Sequence, residues 1–365
     1  MYYQTPKKDT KNMKILVINP GSTSTKIAVY EDEKPVFTMG LHHSREELSA
    51  FDHVNDQYEF RRDLVIAALR DNNIALDFEA IVSRGGLGKP IPGGAYYINE
   101  QMIADNLATP HHHPCNLGCK IALELAGRIP SCLALTADPG VVDELMPMAR
   151  VTGLPEMQRE CFWHALNQRA VGRRFARERG LRYDDLRLII CHLGGGVSIA
   201  AHDHGRAVDV NNALDGEGPF STERTGSLPS STLVRLCFSG KYTQARLLRL
   251  ITGEGGLFAY LGTNDLREVM RRIDAGDHRA KFLVDAMIFN IAKGICAESA
   301  VFSGHADAII LTGGMAHNEY LTTQLSDRIR FIAPVHVYPG EDEMSALAED
   351  GLAVLRGEMI AKEYV

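Results

Sequence analysis

The chain has no basic excess, no ordered set of cysteines and no long apolar run, and each shortage removes a class of protein. Lys and Arg number 39 against 46 Asp and Glu, a formal charge of −7, whereas a nucleic-acid binder is expected to carry surplus positive charge. The longest apolar runs are about a strand in length, far short of the ~20 residues of a membrane helix. Residues 1–12, MYYQTPKKDTKN, lack the apolar stretch of a secretory signal; they are expected to form a flexible tail, with Met13 as an alternative start. Seven cysteines, odd in number and scattered, do not form a disulfide framework, and a cytoplasmic location is expected. No G-x-x-x-x-G-K-[ST] is present, so this is not a P-loop protein. Leu193–Gly196 does not fit G-x-G-x-x-G and leads into a strand, which argues against a dinucleotide-binding dehydrogenase.

What remains is an ordinary globular composition, 45% hydrophobic and 23% charged over 365 residues. At ~150 residues per domain this predicts two domains, able to bury roughly 75% of the unfolded surface without metal or disulfide staples. Strand-like and helical segments alternate, the signature of an α/β class. Lys14–Asn19 and Lys26–Tyr30 read as a hairpin around a small polar tip, Gly21–Thr25. A strand near 80–83 runs into a Gly/Pro-rich loop, and Leu117, Ile121, Leu125 and Ile129 mark a helix stopped at Pro130. The spacing predicts a long helix from Pro155 to Gly180. Leu186–His192, Gly194–Gly196 and Val197–His202 repeat the strand, small-residue turn and strand of the first hairpin about 170 residues later, the period of a duplicated domain. Residues 215–230 read as a long polar loop, followed by helices to Gly304, a last strand at 307–312 and a closing helix over 344–356.

Three turns rich in glycine or hydroxyls, Gly21–Thr25, Gly194–Gly196 and Gly313–Gly314, each follow an apolar strand. Backbone N–H groups at such turns bind anions where no side chain blocks the approach, so a phosphate-rich ligand is predicted. Arg84 follows a strand and Arg224 lies in the polar loop, suited either to clamp a carboxylate or phosphoryl group or to sit solvated at the surface. His164, with Asn167 and Gln168 three and four residues on, is placed on one face of the predicted long helix, as a site group or a buried structural histidine. His111–His113 with Cys115 and Cys119 is the most metal-like string, but no second cluster completes a zinc pattern. Asp138 and Glu343 lie in turn-rich segments where a hard cation could be held with substrate phosphates.

The motifs NPGSTSTK at 19–26, SRGGLGKP at 83–90, FWHALNQRAV at 162–171, HLGGGVSIAAH at 192–202, DVNNALDGEGPF at 209–220 and LTGGMAHN at 311–318 resemble the acetokinase family, and within it the branch that acts on butanoate. RLCFSGKYT at 235–243, GGLFAYLGTND at 255–265 and FIAPVHVYPGEDEM at 331–344 carry the same likeness, which runs in register from Met13 to the C-terminus. The resemblance implies two duplicated ribonuclease H-like domains of the actin-like ATPase kind around an interdomain cleft that binds ATP. It implies an acyl-site domain of residues 13–139 with the returning segment 342–365, and a nucleotide-binding domain of residues 140–341. Asn19, Ser22, Ser24 and Lys26 match the first phosphate-facing hairpin, and His192, Gly194, Gly195 and Gly196 the second. Gly313, Gly314 and Asn318 fall where the superfamily holds adenosine.

By the same resemblance Arg84, Arg224 and His164 grip the acyl carboxylate and the transferred phosphoryl group, Asp138 and Glu343 position Mg²⁺, and His113 lines the site. Gly85-Gly86 stand where acetate kinases have bulkier residues, which predicts a larger acid pocket. Trp163 stands where the family has phenylalanine, and a pocket-facing ring there would shrink the same pocket. The implied activity is reversible transfer of the ATP γ-phosphoryl group to butanoate, giving butanoyl phosphate and ADP, in a homodimer or larger homo-oligomer. The competing readings are a kinase of another short or branched acid, a non-catalytic actin-like nucleotide-binding protein, and a metal-dependent hydrolase built on 111–119.

Overall fold

Lys14–Pro20 (β1) begins a sheet whose middle is apolar on both faces, because helices cover it on both sides. The computed structural model describes residues 12–365; of the expected N-terminal tail, residues 1–11 lie outside those described. Ile15 to Ile18 are wholly buried, the pattern of a central strand rather than a half-solvated one. β1 pairs antiparallel with Ser24–Glu31 (β2), which pairs with Lys34–His42 (β3). On its other side β1 pairs in parallel with Ala80–Arg84 (β4). Ala95–Tyr97 (β5) and Leu133–Ala137 (β6) complete the order β3-β2-β1-β4-β6-β5. Val82 and Ser83 point to opposite faces by the two-residue period of a strand. Gly351, in the helix Glu343–Leu355, packs on Val82, and Gly118, at the head of the helix Gly118–Ala126, packs on Ser83.

A second sheet has the same plan. Arg187–Leu193 (β7), Val197–Asp203 (β8) and Arg206–Val210 (β9) form the antiparallel meander, and Ala308–Gly313 (β10) and Val335–Pro339 (β11) add in parallel, giving β9-β8-β7-β10-β11. Ile189, Cys191, Ile199, Ile309 and Leu311 pack with the long helix His278–Glu298 and with Leu321 and Leu325. On the opposite face Leu188, Ile190 and Ile310 pack on Val171 and Phe175 of the helix Ala165–Glu178. Even the irregularities correspond: the second and third strands of each meander slip register once, at Val29/Tyr30 and at Ala201/His202. The chain is thus α/β with one sheet plan used twice, as its repeated hairpins imply, the first copy carrying β5 as an additional antiparallel edge strand. The strand β11 and the short strands β5 and β6 carry no separate signal in the sequence reading.

By their contacts the described residues divide into one unit of residues 12–89, 94–139 and 343–365 and another of residues 90–93 and 140–342. No helix among the described residues is long and apolar enough to cross a membrane. All seven cysteines are free.

The predicted helix from Pro155 to Gly180 is only half formed. Helix begins at Ala165, with His164 as the residue that precedes its first turn, and ends at Glu178. Residues 155–163 are irregular because their polar groups are taken elsewhere. Arg159 N–H donates to Arg150 O, its guanidinium holds Asp209, Glu217 and the Val210 carbonyl, and Trp163 N–H donates to Gly140 O. The helix placed over 117–129 likewise ends early, at Ala126.

Candidate active site

In the first unit, three side chains from distant parts of the chain meet at the carboxyl ends of β1 and β4. Asn19, buried near the end of β1, donates through Nδ2 to Glu343 Oε2 at 2.7 Å, and Arg84, the last residue of β4, reaches the same oxygen at 3.0 Å. Parallel strands of an α/β sheet present their carboxyl ends to ligands, so the placement of Arg84 follows from the strand that carries it. Across the sheet, β4 pairs with β6 as far as Arg84 opposite Ala137, and the next residue is Asp138. Asp138 is buried and holds φ +41°, a left-handed conformation rare for a residue with a side chain and costing about 1–3 kcal/mol. It is fixed there by an exchange with Gly94, whose N–H donates to Asp138 Oδ1 at 2.7 Å and whose carbonyl accepts from Asp138 N–H at 3.1 Å.

The first hairpin tip is organised by a residue the sequence reading did not single out. Arg61, wholly buried on the helix Tyr58–Asp71, donates to the carbonyls of Gly21, Ser22 and Ser24 and to Thr25 Oγ1. The Thr23 carbonyl accepts from His43 N–H. The four carbonyls from Gly21 to Ser24 are therefore all bonded within the unit, and Ser22 and Thr23 stand exposed at the tip's end. Burial pulls the Arg61 guanidinium down to about 10. Lys26 is exposed on β2, opposite Asn19 in the β1–β2 register, which puts the two on one face.

His113 does not join a metal cluster. Its Nδ1 accepts from Cys115 N–H at 3.2 Å, capping the turn Pro114–Leu117. Burial pushes the Cys115 and Cys119 thiols up to about 11 and about 12, the wrong direction for thiolate ligands. Among the described residues no three His, Cys, Asp or Glu side chains group as a metal site. Gly85 and Gly86 do not open the pocket their sequence suggested. A Cβ on Gly85 would lie 2.6 Å from Pro139 Cβ, and one on Gly86 2.7 Å from Asn106 Cγ, so the missing volume is already filled by the unit itself.

In the second unit, the corresponding hairpin tip carries the histidines. His192, wholly buried at the end of β7, is held at Nδ1 by Asn167 Oδ1 at 2.7 Å, with Nε2 3.1 Å from Glu341. The His164 ring stacks on it with centroids 3.7 Å apart and planes 7° from parallel. Each glycine of the tip is closely faced by a side chain of the same unit. A Cβ on Gly194 would meet His192 Nε2 at 2.8 Å, on Gly195 Glu223 at 2.7 Å, and on Gly196 Arg224 Nη1 at 2.2 Å. The polar loop 215–230 is thus laced to the tip: Ser221 Oγ donates to the Gly195 carbonyl and accepts from Arg224 N–H. Arg224 donates to Ala213 O, while its Nε is buried without an acceptor, a cost of about 1–3 kcal/mol that an anionic oxygen would remove. Burial also pulls this guanidinium below its ordinary value, against the opposing pull of Glu223 and Asp215.

Beside the tip lies a cavity of about 720 Å³ lined by Gly194, Gly195, Gly314 and Asn318 together with Thr222, Glu223, Asn264, Asp265, Leu266, Arg267, Met315, His317 and Glu341. Its volume suits a drug- or nucleoside-sized ligand. Gly313 holds φ +91° with Leu193 O 2.5 Å from where its Cβ would be, so β10 turns into the cavity wall as only glycine allows. Asn318 Oδ1 caps the helix Glu319–Ile329 by accepting from Leu321 N–H. Trp163 is not a pocket wall in this unit. Its ring is buried with Val142, Leu145, Ala200 and Val210, and its Nε1 donates to Val142 O at 2.7 Å.

Two sheets that share the order 3-2-1-4 counted from their own first strands, each with a tight tip between its first two strands, are the actin-like ATPase fold. The comparisons narrow the class. The acetokinase family profile matches residues 158–332. A "Probable butyrate kinase" of Bacteroides thetaiotaomicron is 54% identical over 352 residues, covering 96% of this chain and all of the relative. "Butyrate kinase 2" of Clostridium acetobutylicum is 50% identical over 353 residues, 96% of this chain and 99% of the relative. Among solved structures, an acetate kinase from Porphyromonas gingivalis superimposes with a TM-score of 0.76 at 22% identity, over 94% of this chain and 100% of that one. The chain belongs to the acetokinase family.

Proposed function

We infer that the chain catalyses reversible phosphoryl transfer between ATP and butanoate, yielding butanoyl phosphate and ADP. Identity of about half the residues over nearly the whole chain with relatives named for butanoate carries the choice of acid. A carboxylate is already ionised at neutral pH and needs no general base, so catalysis is positioning and charge neutralisation. In this reading Arg84, with Asn19 and His113 of the same unit, holds the acid. His164 and Arg224 of the second unit stabilise charge on the transferring group. The tip Ser22–Lys26, with His192 and Gly194–Gly196, faces the nucleotide phosphates, and the cavity lined by Gly314 and Asn318, entered from the turn at Gly313, takes the adenosine.

Asp138 and Glu343 fit Mg²⁺ as one or two carboxylates supplementing phosphate oxygens and water, not as a protein cage. That ion, when bound, neutralises charge on the phosphoryl oxygens. Asp138 is pre-set for such a role by its strained backbone, and Glu343 by its bonds to Asn19 and Arg84. The same reading places the enzyme in the cytoplasm as a homo-oligomer. The exposed Val234, Phe238, Leu248 and Tyr260 support a second copy as partner, which the mass in solution decides.

The test is trapping of acyl phosphate by hydroxylamine, with kcat/KM compared across acetate, propanoate, butanoate, isobutanoate and pentanoate. Butanoate is expected to lead, and Arg84→Ala and Arg224→Ala are each expected to lose about 3 kcal/mol of transition-state stabilisation, a hundredfold or more in turnover. Another acid leading would reassign the substrate; near wild-type turnover in either variant would overturn the site.

A further inference from the structure

Behind His164 a line of buried polar side chains runs through the second unit. His164 Nδ1 lies 2.9 Å from Ser198 Oγ. Gln168 Nε2 reaches the same hydroxyl at 2.8 Å and the Ser198 carbonyl at 3.1 Å. Gln168 Oε1 lies 3.0 Å from His202 Nε2, and His202 Nδ1 lies 2.6 Å from Tyr183 OH. Ser198, Gln168 and His202 are wholly buried. Ser198 and His202, four apart on β8, share one face of the strand, and Gln168 stands one turn into the helix that His164 precedes.

The hydrogens of this line have a direction, and a backbone carbonyl sets it. The Ser198 carbonyl only accepts, so the Gln168 group facing it is the amide NH₂ and its oxygen faces His202. His202 Nε2 must then donate, leaving its Nδ1 to accept from Tyr183 O–H. At the other end, Ser198 Oγ accepts from Gln168 Nε2 and, at 3.5 Å, from His164 N–H. For the buried hydroxyl hydrogen the remaining acceptor is His164 Nδ1. With Nδ1 accepting, neutral His164 carries its proton on Nε2.

We propose that Ser198 and Gln168 are positioning residues that hold His164 in its Nε2–H tautomer, so that its outer nitrogen is a hydrogen-bond donor to a phosphoryl oxygen rather than an acceptor that would repel it. The functional part of this rests on the reading of His164 as the residue that meets the transferring group. A donor already aimed costs no rearrangement when charge develops, and an imidazole in the wrong tautomer loses that advantage even where its position is unchanged.

The experiment uses the full chain labelled with ¹⁵N-histidine, its His164 resonances identified by their loss in His164→Gln. Above the ordinary imidazole range, at about pH 8, wild-type His164 is expected to show a proton on Nε2 and a bare Nδ1. A proton on Nδ1 would overturn the proposal. Ser198→Ala is expected to shift His164 toward a tautomer mixture. It should also lower kcat roughly ten- to a hundredfold, the scale on which an outer partner of an imidazole acts, with both KM values little changed. Ser198→Thr, which keeps the hydroxyl, is expected to recover most of the loss. Wild-type kcat and an unchanged tautomer in Ser198→Ala would also overturn it. The wild-type spectrum needs no turnover, and only the assignment variant His164→Gln must fold. Failure of the functional reading, seen as no acyl hydroxamate from the wild-type chain, is thus separate from failure of the relay.

Discussion

At single residues, the glycines show how one sequence signal can have more than one physical cause. The sequence marks Gly194–Gly196 as a turn a phosphate can approach, but each missing Cβ would also closely face a side chain of the unit itself. Gly196 is the sharpest case, since a methyl group there would lie 2.2 Å from Arg224 Nη1 and the guanidinium would have to swing away. Gly196→Ala is therefore expected to imitate the loss of Arg224, with kcat down about a hundredfold, because the buried guanidinium is pushed from its bond to the Ala213 carbonyl. The hydroxamate assay beside a thermal melt checks this; a large fall in stability with turnover preserved would show that the backbone, not Arg224, had moved. Gly85 and Gly86 teach the same lesson from the other side: residues absent from the sequence do not create a pocket where Pro139 and Asn106 fill the space.

At the scale of elements, both hairpin tips were legible because strand, small-residue turn and strand are local patterns. What secures them was not, because it arrives from far along the chain. Arg61 reaches the first tip from a helix some forty residues on, and Ser221 and Arg224 reach the second from a loop whose polarity alone was visible. His164 was misplaced onto a helix for a related reason: the periodicity after 155 is helical, but Arg159 and Trp163 take partners outside any helix. The first tip carries a pH dependence. Thr25 Oγ1 accepts from Arg61 and lies 3.0 Å from Nε2 of the buried His43. Burial, reinforced by the Arg61 charge, holds His43 below the ordinary imidazole value of 6.5. The folded chain thus binds this proton less readily than the unfolded one, so stability is full above pH 6.5 and is lost as pH falls toward the depressed value. Melting temperature should decline below pH 6.5 in the wild-type chain, and more shallowly in His43→Gln. Parallel slopes for the two would remove His43 as the cause.

For the whole molecule, the duplication is the feature the sequence states most plainly, yet the two copies are assembled differently along the chain. The second unit is almost one continuous stretch, residues 140–342, whereas the first is completed only by residues 343–365. That last stretch supplies Glu343, the shared partner of Asn19 and Arg84, and a helix that lies on β1 and β4 through Gly351. It ends with Lys362 bridging to Tyr96 and with Tyr364, whose hydroxyl donates to Asp105. The first unit therefore cannot close its core until the chain is finished. A branched side chain at Gly351 tests this, because even a Cβ would stand 2.5 Å from Val82 Cγ2 and 3.7 Å from Ile15 Cδ1. Overpacking of this kind costs about 1–3 kcal/mol, and here it bears on the helix that carries Glu343. In Gly351→Val, hydrogen exchange is expected to quicken in β1, β4 and the helix Glu343–Leu355, while β7, β10 and the helix His278–Glu298 keep wild-type protection. The acid's KM is expected to rise more than that of ATP, since Arg84 and Asn19 lose their common partner. Equal loosening of both sheets would mean that the two copies unfold as one cooperative body, and the C-terminal segment would then be no more the keystone of the first unit than of the second.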